Sequence, residues 1–144
     1  NNAQLGRLLG LQAAGRFGEQ DLGFVGGWAD GIEPLTQPAL ARHLENRLGR
    51  PLVSVGQVQG VIRRIAWCSG GAQGYFEAAI AAGAQAFITG EISEPQAHLA
   101  RECGVSFFAC GHHATERFGA PAVASQVAGE LGLIHEFIDI SNPA

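Results

Sequence analysis

The sequence has no lysine and no methionine, and only three cysteines and one tyrosine among its 144 residues. Without lysine there can be no Walker-type loop, whose lysine reaches the β- and γ-phosphates. Cys68, Cys103 and Cys110 are odd in number, widely spaced and form no CxxC pair. That excludes a disulfide framework and makes a reducing cytoplasm the expected compartment. Charge is scarce too, at 15% of residues where about 25% is usual. Nine arginines against thirteen acidic residues give a net charge of −4, the wrong sign for a nucleic-acid groove, so no nucleic acid is expected as a partner. The longest soft run, Ala78 to Ala84, falls well short of the roughly 18 apolar residues that cross a membrane. No signal or transit pattern is visible, and no Gly-x-Ser-x-Gly elbow offers an activated serine.

What is present is ample apolar side chain, 47% of the residues, enough to bury the core of one domain and to exclude disorder. Low charge and many small residues point to self-association. The chain begins Asn1-Asn2-Ala3, so a fragment or a processed form is expected. Leu5, Leu8 and Leu9 share a helical face that Gly10 ends. Thr36 reads as a cap for a second helix, with Pro38 in its first turn, a Leu40-Leu44-Leu48 stripe and Gly49 as its stop. Phe24 to Trp28 reads as a glycine-broken strand with a bulge or bend, and Pro51 to Val55 as another strand. From residue 61 the rhythm becomes regular. Strands are expected at 61–67, 84–88, 105–110 and 133–140, and helices at 74–82, 95–103 and 115–131, with Pro121 kinking or restarting the last. Such alternation predicts an α/β fold on a mostly parallel or mixed sheet flanked by helices.

Three of these strands lead into polar, glycine-containing turns: Ser69-Gly70-Gly71-Ala72-Gln73-Gly74, Thr89-Gly90-Glu91 and Gly111-His112-His113-Ala114-Thr115-Glu116. Ligands of open α/β sheets bind outside the carboxyl ends of parallel strands, so these turns are expected to face one region. His112 and Glu116 are one helical turn apart, and an imidazole nitrogen and a carboxylate oxygen at that spacing can share a cation. Equally, Glu116 could cap a first turn. Gly70, Gly71 and Gly74 resemble half a phosphate cradle, or merely a tight strand-to-helix turn. Glu91 could be a general base, a hydrogen-bond acceptor behind a metal-bound histidine, or part of a helix cap. His113 is expected as an outer partner of the same site.

Taken in order, Ala66-Trp67-Cys68-Ser69-Gly70-Gly71, Phe87 to Glu94, Gly111 to Arg117 and the ending Phe137 to Ala144 resemble the Nif-three-like dinuclear-metal-centre family. Its bacterial members are called GTP cyclohydrolase 1 type 2 homologs. The resemblance implies a hexameric ring and two divalent metal ions (Zn, Fe, Mn or Mg) per complete subunit. It implies His112 and Glu116 as metal ligands and an acidic position near the site at Glu91. The family's other ligands, a histidine pair and an aspartate, belong to an N-terminal half that precedes Asn1. Residues 1–144 are therefore expected to form a single α/β domain matching the family's C-terminal portion, with an incomplete metal site. The expected activity is metal-dependent hydrolysis of a nucleotide or phosphoester-like substrate. The alternatives are a non-catalytic oligomeric scaffold that handles metal, and a nucleotide-binding α/β domain.

Overall fold

A computed structural model describes residues 1–144. Helix α1 (Asn2–Leu9) buries Leu5 and Leu9 and ends at Gly10, whose φ of 72° is the left-handed stop that glycine adopts without strain. Strands β1 (Leu11–Phe17) and β2 (Gly23–Trp28) follow as an antiparallel hairpin. The expected bulge lies not in β2 but in its partner, where the register shifts between Ala13 and Gly15. Gly26 stands opposite, and a Cβ there would run into the backbone of Gln12 and Ala13. Strand β1 escapes a reading from sequence because its middle, Gln12 to Arg16, carries no apolar alternation.

Next come β3 (Leu35–Thr36), α2 (Gln37–Leu48), β4 (Val53–Val55), β5 (Val61–Ile62) and β6 (Ile65–Trp67). The single strand expected at 61–67 is thus two. Arg63 and Arg64 separate them, and β5 leaves the main sheet to pair with β3. After a 3-10 turn at Gln73–Tyr75 come α3 (Phe76–Ala81), β7 (Ala86–Thr89), α4 (Glu94–Cys103), β8 (Ser106–Ala109), α5 (His112–Glu116) and α6 (Gly119–Leu131). The helix expected at 115–131 is broken at Arg117 and Phe118. Pro121 has no amide to bond the carbonyl four residues back, that of Arg117, so the chain restarts there.

The main sheet runs β1-β2-β6-β7-β8-β4 and is mixed. Only its centre, β6-β7-β8, is parallel, and antiparallel strands flank that centre on both sides. Both faces are covered. Ile65, Trp67, Ile88 and Phe108 pack with leucines of α1 and α2 on one side. Ala66, Phe87 and Phe107 meet Phe76, Ala79 and Ala100 of α3 and α4 on the other. The period-2 alternation of these strands therefore divides two apolar sets rather than core from solvent.

Residues 133–140 are not the expected final strand. They run on without sheet pairing, with Leu133, Ile134, Phe137, Ile138 and Ile140 exposed. β propensity alone cannot hold a strand whose ladder partner is missing. The tail is tied down further along: Asp139 pairs with Arg117 at 2.6 Å, and the Ala144 carbonyl accepts from Arg50 Nη1 at 2.8 Å. No helix is long and apolar enough to cross a membrane.

Candidate metal centre

The turns after β6, β7 and β8 meet, as parallel strand ends require, and they are bonded to one another. Gly90 N donates to Gly70 O at 2.9 Å, and Gly111 N donates to Gly90 O at 2.8 Å. The sheet ladder thus continues one step beyond the strands. Thr89 Oγ1 also donates to Gly70 O, at 3.0 Å. Gly70 N donates to Thr115 Oγ1 at 2.9 Å, which joins the first turn to α5. Both threonines are buried. Gly90 has a specific reason to be glycine: a Cβ there would sit 2.7 Å from Gly70 O and 2.7 Å from His112 Cα.

On this framework three side chains line up. His112 Nδ1 lies 2.5 Å from Glu91 Oε1, and His112 Nε2 lies 3.0 Å from Glu116 Oε2. Gln73 Nε2 donates to Glu91 Oε2 at 3.3 Å, which steadies that carboxylate. The hydrogen bond to Glu91 is the main reason the His112 imidazole is held above its ordinary pKa; desolvation opposes it and Glu116 adds to it. Reciprocally, the His112 hydrogen bond holds Glu91 below the usual carboxylate range. An imidazole with a carboxylate at each nitrogen needs positive charge on both sides. Either it carries two protons, or one proton sits at Nδ1 and another cation takes the place between Nε2 and Glu116.

That donor set fits a metal ion as part of a larger ligand group. A nitrogen and a carboxylate oxygen face each other, and a second carboxylate sits on the far ring nitrogen, where it fixes the tautomer. Two ligands do not close a site, and no three His, Cys, Asp or Glu side chains converge as a metal-binding cluster.

The other residues singled out from the sequence fall as follows. Gly70 is buried and its amide is engaged by Thr115, so it has no N–H to offer a phosphate. The neighbouring Ser69 amide is likewise held, by Asn2 Oδ1 at 2.7 Å. Gly71 and Gly74 are exposed and line an open cleft of about 700 Å³ beside Glu116. The helix that was to present these amides begins only at Phe76. His113 makes no side-chain hydrogen bond to the Glu91–His112–Glu116 line; its Nε2 is buried without a hydrogen-bond partner, and its backbone N–H donates to Ala144 O. Gln73 and Thr115 were not visible as site residues, because their partners lie 18 and 45 positions away. Cys68 borders the cleft as a protonated thiol, its pKa raised first by burial.

The chain is similar along its whole length to proteins called GTP cyclohydrolase 1 type 2 homolog. It is 49% identical over 144 residues to that of Neisseria meningitidis serogroup A and 47% identical over 149 residues to that of Pseudomonas aeruginosa. Each alignment covers 100% of this chain and 57% of the relative, so the chain spans little more than half the length of these curated proteins. Among solved structures, one described as protein ybgI, of unknown function, superposes with a TM-score of 0.91 at 42% identity, over 99% of this chain and 56% of that one. TTHA1606 from Thermus thermophilus gives 0.78 at 25% identity, over 97% and 54%. The family model described as Duf34/NIF3 (NGG1p interacting factor 3) matches residues 1–143. On this agreement of sequence and fold, the chain belongs to the DUF34/NIF3 family.

Proposed function

We propose that this chain supplies part of a divalent-metal site, and that the longer protein it corresponds to is a metal-dependent hydrolase acting on a nucleotide or a phosphoester-like substrate. The supporting observation is the Glu91–His112–Glu116 line, in which His112 Nε2 and a Glu116 carboxylate oxygen face each other at 3.0 Å while a second carboxylate sits on the far ring nitrogen. His112 Nε2 and Glu116 would hold the ion. Glu91 accepts a hydrogen bond from Nδ1–H, orients the ring and raises its basicity, while Gln73 keeps Glu91 in place. A bound divalent ion (Zn, Fe, Mn or Mg) supplies a Lewis acid and acidifies water at its site. The name shared by the relatives, GTP cyclohydrolase 1 type 2 homolog, is consistent with a nucleotide substrate.

Calorimetric titration of Zn²⁺ and Mn²⁺ into the chain tests this, alongside a polypeptide of the relatives' full length. His112→Ala and Glu116→Gln should each abolish measurable binding, and Glu91→Gln should weaken it roughly 10–100-fold. Equal binding by the His112→Ala variant, or no binding by either polypeptide, refutes the reading.

A second reading, a self-associating module that is not catalytic, draws on a different observation. Val123, Val127 and Leu131 of α6 are exposed and continue into the exposed apolar residues of the tail. Such contiguous apolar surface suits burial against further copies of the chain, as in a closed ring. Light scattering should give a mass at least twice the 15.0 kDa of one chain. Val127→Glu should lower that mass, and a monomer at all concentrations removes this reading.

A further inference from the structure

The cleft beside Glu116 has a volume of about 700 Å³, within the 300–1,000 Å³ typical of small-molecule sites. One wall is the β1–β2 hairpin, another is the loop from Cys68 to Tyr75, and Asn1 to Ala3 at the start of α1 form a third side. Arg16 is the one cationic side chain lining it. The Arg16 guanidinium carbon stands 3.6 Å from the centroid of the Phe24 ring, and Nη1 donates to Asp21 O at 3.3 Å. No carboxylate pairs with Arg16. Its planar fork is thus oriented by an aromatic ring and one carbonyl, with its other N–H groups and outer face open.

The hairpin tip that holds Arg16 is itself held. Gln20 and Asp21 have φ of 54° and 55°, which L side chains rarely adopt. Asn2 Nδ2 donates to the adjoining Leu22 carbonyl at 2.8 Å, and a Cβ at Gly18 would touch the Tyr75 ring at 3.5 Å. Tyr75 and Leu22 present flat and apolar surface to the same space. One end of the cleft therefore offers an unpaired guanidinium beside apolar walls, and the other ends at Glu116.

We infer that this cleft binds a planar-ring compound bearing a phosphate or carboxylate group. The anion engages Arg16, the ring lies along Tyr75 and Leu22, and the remainder of the molecule is directed toward Glu116 and His112. Binding to the cleft follows from Arg16 and its walls alone; only the role of the far end rests on the metal reading above.

The test is run with a chelator present, so that it succeeds or fails independently of any metal. Binding of 1-naphthyl phosphate, 1-naphthol and inorganic phosphate to the chain is measured by fluorescence and calorimetry. The phosphate ester should bind at least tenfold more tightly than either of its parts. Arg16→Ala should erase the advantage over 1-naphthol, and Arg16→Lys, which keeps the charge but not the fork, should retain a fraction of it. Tyr75→Ala should weaken the ester and the naphthol alike. No binding of the ester, an ester no tighter than its parts, or an undiminished preference in Arg16→Ala overturns the inference.

Discussion

Replacing Gly90 by alanine tests whether the three turns form one unit. The added Cβ would meet Gly70 O and His112 Cα at 2.7 Å and His112 N at 2.9 Å, whereas ordinary contact begins at 3.4 Å. All three neighbours are backbone atoms, so no side chain can swing aside. The turns must open by about 0.7 Å in a densely packed region. Overpacking of this kind costs about 1–3 kcal/mol. The opening also strains the 2.9 Å bond from Gly90 N to Gly70 O, worth about 1 kcal/mol. The expected loss is therefore roughly 2–4 kcal/mol, a large share of a typical domain's stability. Urea denaturation should show it as a lower midpoint with an unchanged slope. Gly74→Ala is the control: nothing lies within 4 Å of a Cβ there, so the change should stay within about 0.5 kcal/mol. The imidazole proton signals of His112 should move in the Gly90 variant and not in the Gly74 variant. If the two variants unfold alike, the turns do not brace one another as described.

Two further outcomes follow from single buried groups. Thr115→Val should destabilise by about 1–3 kcal/mol, because the Gly70 amide loses its acceptor in a site that water does not reach; Thr115→Ser should recover most of the loss in the same denaturation assay. Burial pushes the Cys110 thiol up from 9.0 to about 12. Above pH 9 the unfolded chain therefore releases a proton that the folded chain retains, and stability falls by about 1.4 kcal/mol per pH unit until the folded thiol also ionises. Denaturation from pH 8 to 10.5 should show a shallower slope for Cys110→Ala; equal slopes contradict the assignment.

Helix boundaries were legible wherever a residue has a local reason to stop a helix. Gly10, Gly49 and Gly104 all take the left-handed conformation at the ends of α1, α2 and α4. Strand existence was legible where apolar or β-branched residues run together, as in β2, β4, β6, β7 and β8. It failed at 133–140, where a strand-like composition finds no partner, and at β1, where the partner rather than the composition makes the strand. The candidate site followed the same division. His112 and Glu116 share a helical turn, and Glu91 follows directly on a strand, so local spacing revealed all three. Gln73, Thr115 and Arg16 act through contacts that exist only after the turns and the hairpin come together.

The bonds linking Gly70, Gly90 and Gly111 bear on how the centre comes into being. These glycines are 20 and 21 positions apart in the chain, and each linking bond can form only after two parallel strands and an intervening helix have settled side by side. Closing such separated segments is the slow part of building a parallel sheet. A collapsed but unfinished chain would hold His112 near Glu116, which are neighbours on one turn, while Glu91 remained unplaced. The ring would then lack its preferred tautomer, and any ion captured early would sit loosely and exchange. If the centre takes up an ion as proposed, productive loading would wait for the last stage of folding, when the central strands have closed.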